Sequence, residues 1–463
     1  MERYNSRVVK IALIATYEMG RQPFGLASPA AWLRERGHAV VCLDVSRQAF
    51  DEEAVQGAGL VAMHVPMHTA TRLAIGLIEV VRGINPEAHL CFYGLYAPMN
   101  EGYLRGLGVG TILGGEFEDG LARLAERIAG GGGKTQEEAV ISLGRQEFVV
   151  PDRGGLPELK GYAHLVEAPG KHRVTGYTEA SRGCKHLCRH CPIVPVYQGA
   201  FRVVGREVVL ADIRQQVEAG ARHITFGDPD FFNGPGHARG LVEALHREFP
   251  EITYDVTIKV EHLLKHEAEL AVLRETGCAF VVSAVESLDD AVLGKLEKGH
   301  TREDFLRVVE IFRREGLALQ PTFLPFTPWT TLAGYQDMLR VLREEELEEN
   351  VAPIQLAIRL LIPAGSRLLE LPEMRGVAAG FDAQALAHPW KHADARVDAL
   401  CEAVRRIVAA GEERKRTRRE IFAEIERAAE EAEGVTRARM SEAAQPVLAA
   451  RAAVPYLNEP WYC

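Results

Sequence analysis

The sequence predicts an α/β protein built from two parallel-sheet units in tandem, followed by a helical extension. Three observations predict this. Short apolar, β-branched runs alternate with helical stretches over residues 8–128, the pattern of a parallel sheet covered on both faces. The alternation restarts near Val174 and continues to residue 365. A glycine-rich break at residues 130–134 separates the two series.

The first unit, residues 1–130, has strand candidates at 8–16, 39–45, 60–65, 89–93 and 111–113. Its helices are expected at 29–36, 71–82 and 119–128. Residues 131–172 form a linker, with a short hairpin at 141–150 and a Pro/Gly connector at 156–164. The second unit spans 173–390, with strands at 177–181, 223–227, 254–259, 280–283, 318–324 and 354–361. Helices fall between them at 208–219, 236–249, 261–276, 287–296, 302–315 and 331–344. Six such βα units are too few to close an eight-stranded barrel. Residues 391–440 are a helical extension. Its long charged helix at 399–432 carries an apolar face of Leu400, Val404, Ile407, Ile421 and Ile425, and its basic run 414–419 reads as solvated. Residues 441–463 form a flexible, Ala-rich tail that ends on Trp461, Tyr462 and Cys463.

Composition excludes several classes. A length of 463 residues fits two or three domains. A net charge of −10 argues against a general nucleic-acid binder, whose phosphate contacts need a basic face. No apolar run is long enough to span a membrane, and the first residues lack a signal-peptide core, so no membrane partner is expected. Of eight cysteines three are clustered and five scattered, which is not a disulfide framework. A reducing, cytoplasmic setting follows.

The three clustered thiols are Cys184, Cys188 and Cys191, in the segment Ser181-Arg182-Gly183-Cys184-Lys185-His186-Leu187-Cys188-Arg189-His190-Cys191-Pro192. Three thiolates on one short loop can converge on one soft metal centre. A cubane iron–sulfur cluster held by three cysteines keeps one iron open. A structural zinc, with His186 or His190 as fourth ligand, is the other reading.

The C-x3-C-x2-C spacing and its Gly-Cys start resemble the radical S-adenosylmethionine (SAM) superfamily. The ordered βα units resemble that family's (β/α)6 partial TIM barrel. The resemblance implies a [4Fe-4S] cluster on Cys184, Cys188 and Cys191, and SAM on its open iron. It implies an enzyme that cleaves SAM reductively and modifies an unidentified small molecule through a 5′-deoxyadenosyl radical. An electron donor such as flavodoxin or ferredoxin is implied as partner. Asp228 and Asp230, after the second barrel strand, would hold the SAM ammonium; Ser283 and Glu286 would hold its methionyl or ribose part; Arg359 would meet a carboxylate or a structural acid.

The first unit resembles the Rossmann-like cobalamin-binding domain fused to many such enzymes. The matching residues are Pro23-Phe24-Gly25-Leu26, the stretch from Leu33 to Asp44, and Gly114-Gly115-Glu116-Phe117-Glu118. The Asp-x-His-x-x-Gly signature is absent, which puts cobalamin in doubt and leaves a substrate or docking platform as the other role. The tail, with Ile258-Lys259-Val260-Glu261-His262-Leu263 and Phe326-Thr327-Pro328-Trp329-Thr330-Thr331, resembles the subgroup whose tails read Cys-Cys-Ala-Glu-Pro or Cys-selenocysteine-Ala-Glu-Pro. By that likeness Cys463 is a candidate catalytic thiol, and a selenocysteine codon read as a stop would end a chain there. The subgroup implies an alternative reaction, transfer of a 3-amino-3-carboxypropyl group from SAM to a thiol-bound metalloid such as arsenic. Cobalamin-dependent methyl transfer is a third reading.

Overall fold

Two sheets organise the chain, seen in a computed structural model that describes residues 8–132, 136–434 and 454–458. The first sheet is wholly parallel, in the order β2-β1-β3-β4-β5-β6. Its strands are β1 (Lys10–Ala15), β2 (Ala39–Asp44), β3 (Leu60–His64), β4 (His89–Tyr93), β5 (Thr111–Gly115) and β6 (Ile141–Ser142). The central strands β1 and β3 are apolar on both faces because helices cover both. Residues 141–150 do not form the expected hairpin. Ile141–Ser142 instead adds parallel to β5, and a Cβ on Gly115 would lie 2.2 Å from the Ser142 carbonyl oxygen, so only glycine lets the strands meet there.

The second sheet curls into a half-barrel, in the order β14-β13-β12-β11-β8-β7-β15. β8 (Lys171–Thr178), β11 (His223–Phe226), β12 (Thr253–Thr257), β13 (Cys278–Glu286) and β14 (Leu319–Phe323) are parallel. β7 (His164–Ala168) and β15 (Tyr456–Leu457) extend it antiparallel beyond β8. Side chains alternate along the strands. Ile224, Phe226, Tyr254, Val256, Val281 and Val285 enter the large core under the helices. His223, Thr225 and Asp255 point the other way and bond one another, Thr225 Oγ1 donating to Asp255 Oδ1 at 2.6 Å.

Two expected elements differ. Residues 354–361 are not a sixth ladder strand: Pro353–Leu356 is a 3-10 turn, and Arg359 opposes Phe326 in a single bridge. The Phe323 N–H, on the outer edge of β14, donates to the Gln355 side chain at 3.2 Å, so part of that edge is satisfied without a ladder. The long helix at 399–432 is two helices, Ala395–Glu413 and Arg418–Glu433. Thr417 and Glu420 form a capping box that starts the second. Arg418 of the basic run is buried, donates to the Glu349 carbonyl at 2.7 Å and lies over the Tyr456 ring.

The linker is a strap. Arg153 donates to Gln22 at 2.7 Å, to Asp212 at 2.7 Å and to the Tyr177 carbonyl at 2.6 Å. One guanidinium thereby ties the first unit to a strand and a helix of the second.

Candidate functional site

The three clustered cysteines lie in a loop whose neck is the short antiparallel pair β9 (Ser181–Gly183) and β10 (Phe201–Val203). Gly183 sits at φ +73°, and a Cβ there would lie 2.4 Å from the Ala200 carbonyl oxygen, so the residue before Cys184 has to be glycine. The loop follows β8 and therefore stands at the carboxyl end of the half-barrel, where ligands of parallel sheets bind. Lys185 fixes one side, its ammonium donating to the Asn233 carbonyl at 2.5 Å. Arg189 fixes the other, donating to the Lys295 carbonyl at 3.0 Å and pairing with Glu297 at 2.5 Å.

The donor set fits an iron–sulfur cluster. All three thiols are unbridged. Burial pushes Cys191 up to about 12, with the neighbouring thiols Cys188 and Cys184 adding to it, so iron has to displace bound protons. Burial also raises Cys184, while the Asn233 amide beside it works in the opposite direction. That amide nitrogen is buried with no other hydrogen-bond partner, a donor left for sulfur. The two histidines that offered zinc a fourth ligand are turned elsewhere: His190 to Glu286 at 3.3 Å, His186 to Asp230 at 3.5 Å.

Glu286 closes β13 behind an irregularity in the ladder and sits at φ +69°. Such a bulge re-aims a side chain. Its carboxylate meets Lys298 at 3.5 Å as well as His190. Burial would raise it, but Lys298 and His190 hold it at about 2. It stands ionised beside the cysteine loop.

The other expected residues separate. Asp228 accepts from the Ala180 N–H at 2.9 Å and from the Ser181 hydroxyl at 2.5 Å, and burial lifts its pKa to about 7 against those bonds. It buttresses the neck of the loop. Asp230 caps the turn Phe231–Asn233 through the Phe232 N–H and turns its second oxygen toward His186 and His262. Ser283 is a correction: alternation puts it with Val281 and Val285 on the helix-covered face, so it does not face the lumen. Arg359 meets the structural acid of its two expected partners, not a ligand: it pairs with Asp398 at 2.7 Å and stacks on Trp390 at 3.6 Å, so its charge is matched within the protein. Phe323 and Phe326 are buried core residues. Cys463 lies outside the described residues.

Sequence reading missed what Arg182 does. This residue of the neck is buried and pairs with Glu118 at 2.7 Å, Glu179 at 2.7 Å and Glu116 at 3.4 Å. The Phe24, Phe117 and Phe148 rings flank its guanidinium. The signal was available, an Arg beside a cysteine and a Glu-Phe-Glu in another unit, but nothing in the sequence brings them together.

The strand ends of the first sheet do not fit cobalamin. His64 fills them, bonded to Glu18 at 2.5 Å, and a Cβ on Gly25 or Gly94 would lie 2.0 or 3.0 Å from its ring. Pro98 fills the space above Gly114 in the same way, 2.1 Å from a Cβ there. The glycines admit the protein's own side chains.

Comparison with known proteins agrees with this geometry. Residues 178–329 match the Radical SAM superfamily. Over 231 residues the chain is 25% identical to a tRNA-2-methylthio-N(6)-dimethylallyladenosine synthase of Chlorobium limicola, covering 46% of this chain and 52% of that one. It is 23% identical over 320 residues to the hopanoid C-3 methylase of Methylococcus capsulatus, covering 66% and 62%. The chain thus spans about half the length of the curated relatives it matches first. In fold, the cobalamin-dependent SAM radical enzyme OxsB covers 92% of this chain and 72% of its own, with a TM-score of 0.69 at 14% identity.

Proposed function

We propose, from the radical SAM domain that this chain carries at residues 178–329, that the protein is an enzyme that cleaves SAM reductively and takes hydrogen from a small-molecule substrate. The observation that carries this is the cysteine loop: three unbridged thiols, gripped from both sides, at the carboxyl ends of half-barrel strands. Cys184, Cys188 and Cys191 would hold a [4Fe-4S] cluster. When bound, that cluster supplies one-electron reducing power and an open iron for SAM.

The protein's own residues do the rest. Glu286, ionised and held by Lys298 and His190, offers a carboxylate to the SAM ammonium or ribose hydroxyls. Asp228 acts through Ser181, keeping the loop's entry in register. Arg182 anchors the same neck to the first unit. An external one-electron donor of the flavodoxin or ferredoxin kind is the partner this chemistry needs.

The test is anaerobic reconstitution followed by reduction with SAM present. 5′-Deoxyadenosine and methionine are the expected products. Recovery of 5′-methylthioadenosine instead would mean that SAM's other carbon–sulfur bond breaks, and would replace this reading with aminocarboxypropyl transfer.

A further inference from the structure

Beside the cysteine loop three side chains from three separate elements converge. His186 stands in the loop, Asp230 follows β11, and His262 lies in the helix Val260–Lys265. One nitrogen or oxygen of each lies within 4.8 Å of the others. His262 Nδ1 is 2.7 Å and His186 Nε2 is 3.5 Å from Asp230 Oδ2. These same three atoms are buried and lack an aligned hydrogen-bond partner. Asp230 is only 1% exposed. A buried polar atom without an aligned partner is costly, and these three face one spot, with His262 Nδ1 already at contact distance from Asp230.

We propose that His186, Asp230 and His262 bind a divalent transition-metal ion, separate from the centre on the cysteines. Two nitrogens and a carboxylate oxygen suit zinc or iron(II). Tetrahedral ligand bonds of about 2.0–2.2 Å put neighbouring ligand atoms roughly 3.3–3.6 Å apart; His186 Nε2 stands at that distance from Asp230 Oδ2, and His262 Nδ1 is closer. Outer partners are in place. Asp230 Oδ1 accepts from the Phe232 N–H at 3.2 Å, which leaves Oδ2 for the ion. Glu261 Oε2 lies 3.6 Å from His186 Nδ1, where a carboxylate behind a metal-bound imidazole would accept from the ring N–H. Lys259 donates to that nitrogen at 3.0 Å and to Glu261 at 3.1 Å, and binding the ion through Nε2 requires the first of these bonds to be given up. Three protein ligands leave a tetrahedral ion one open position. The ion ties the cysteine loop to the ends of β11 and β12, so it rests on geometry that holds whether or not SAM chemistry does.

The probe is Zn2+ alone, dialysed into the cluster-reconstituted full-length protein, with zinc and iron counted together. About one zinc per chain is expected beside about four irons. His262→Ala and Asp230→Asn should each lower zinc about tenfold or more and leave the iron count unchanged. X-ray absorption at the zinc edge should show only nitrogen and oxygen near 2.0–2.1 Å. No zinc uptake by the wild type, equal zinc in the variants, or a sulfur shell near 2.3 Å would each overturn the site. If His262→Ala does not fold, the isosteric Asp230→Asn decides the matter.

Discussion

Replacing Cys188 by Ala removes one of three thiols that have no bridge partner, and iron content should fall from about four per chain to near zero. Cys42→Ser and Cys91→Ser change thiols buried in the first sheet and should leave iron and sulfide unaltered. Measured iron and sulfide check both. Glu116 supports a prediction on pH. Burial, with Glu118 and Glu179 adding to it against Arg182, raises its carboxyl to about 7. A raised acid favours the native state while protonated, below its unfolded value. That contribution fades as pH climbs through the folded value. Thermal unfolding of the wild type should therefore weaken between roughly pH 4.5 and 8, by about 3 kcal/mol at most. Glu116→Gln should flatten that slope.

At the scale of elements, the neck strand Ser181–Gly183 joins the two units beside the Arg153 strap. Arg182 is 7% exposed, and Glu118, paired with it, is buried completely. Removing one partner of such a pair leaves an uncompensated charge in the interior. Arg182→Met should thus cost about 3–5 kcal/mol in denaturant unfolding. It should also loosen the cysteine loop, seen as slower cluster reconstitution. The tail strand Tyr456–Leu457 is a second joining element. It pairs with one outer strand, while the Pro455 carbonyl accepts from Gln320 on β14 at the opposite edge. The segment thus bridges the open side of the half-barrel. The Asn458 side chain accepts from the His164 N–H at 2.7 Å. Deleting residues 454–463 should make the His164 amide exchange with solvent faster by hydrogen-exchange mass spectrometry, with iron content unchanged.

At the scale of the whole molecule, the first unit is tied to the second through Arg153 and Arg182, and its strand-end glycines face the protein's own side chains. His64 and Pro98 occupy the space above its glycines. Full-length protein produced with ample cobalamin should carry less than about a tenth of an equivalent, since an interior this close-packed does not admit a corrin without rearrangement. The visible spectrum after purification checks this. Among the described residues no helix is long and apolar enough to cross a membrane.

The sequence by itself determined the two α/β units, the first five strands of the first sheet to within a few residues, the cysteine triad and Glu286 at a strand end. These are local facts: apolar periodicity and ligand spacing are written in contiguous residues. The same logic reaches the Thr417–Glu420 cap that divides the last helices, legible as Thr-x-x-Glu once the long apolar face is not taken as continuous. Tertiary structure alone decided the rest. Alternation sends Ser283 to the helix layer, but only the irregularity between Ala284 and Glu286 re-aims the Glu286 carboxylate to His190 of the cysteine loop. Arg359 found Asp398 and Trp390, and Asp230 found two imidazoles far from it in sequence. A buried charge takes whichever partner the packing brings within reach, and spacing along the chain carries no information about that distance.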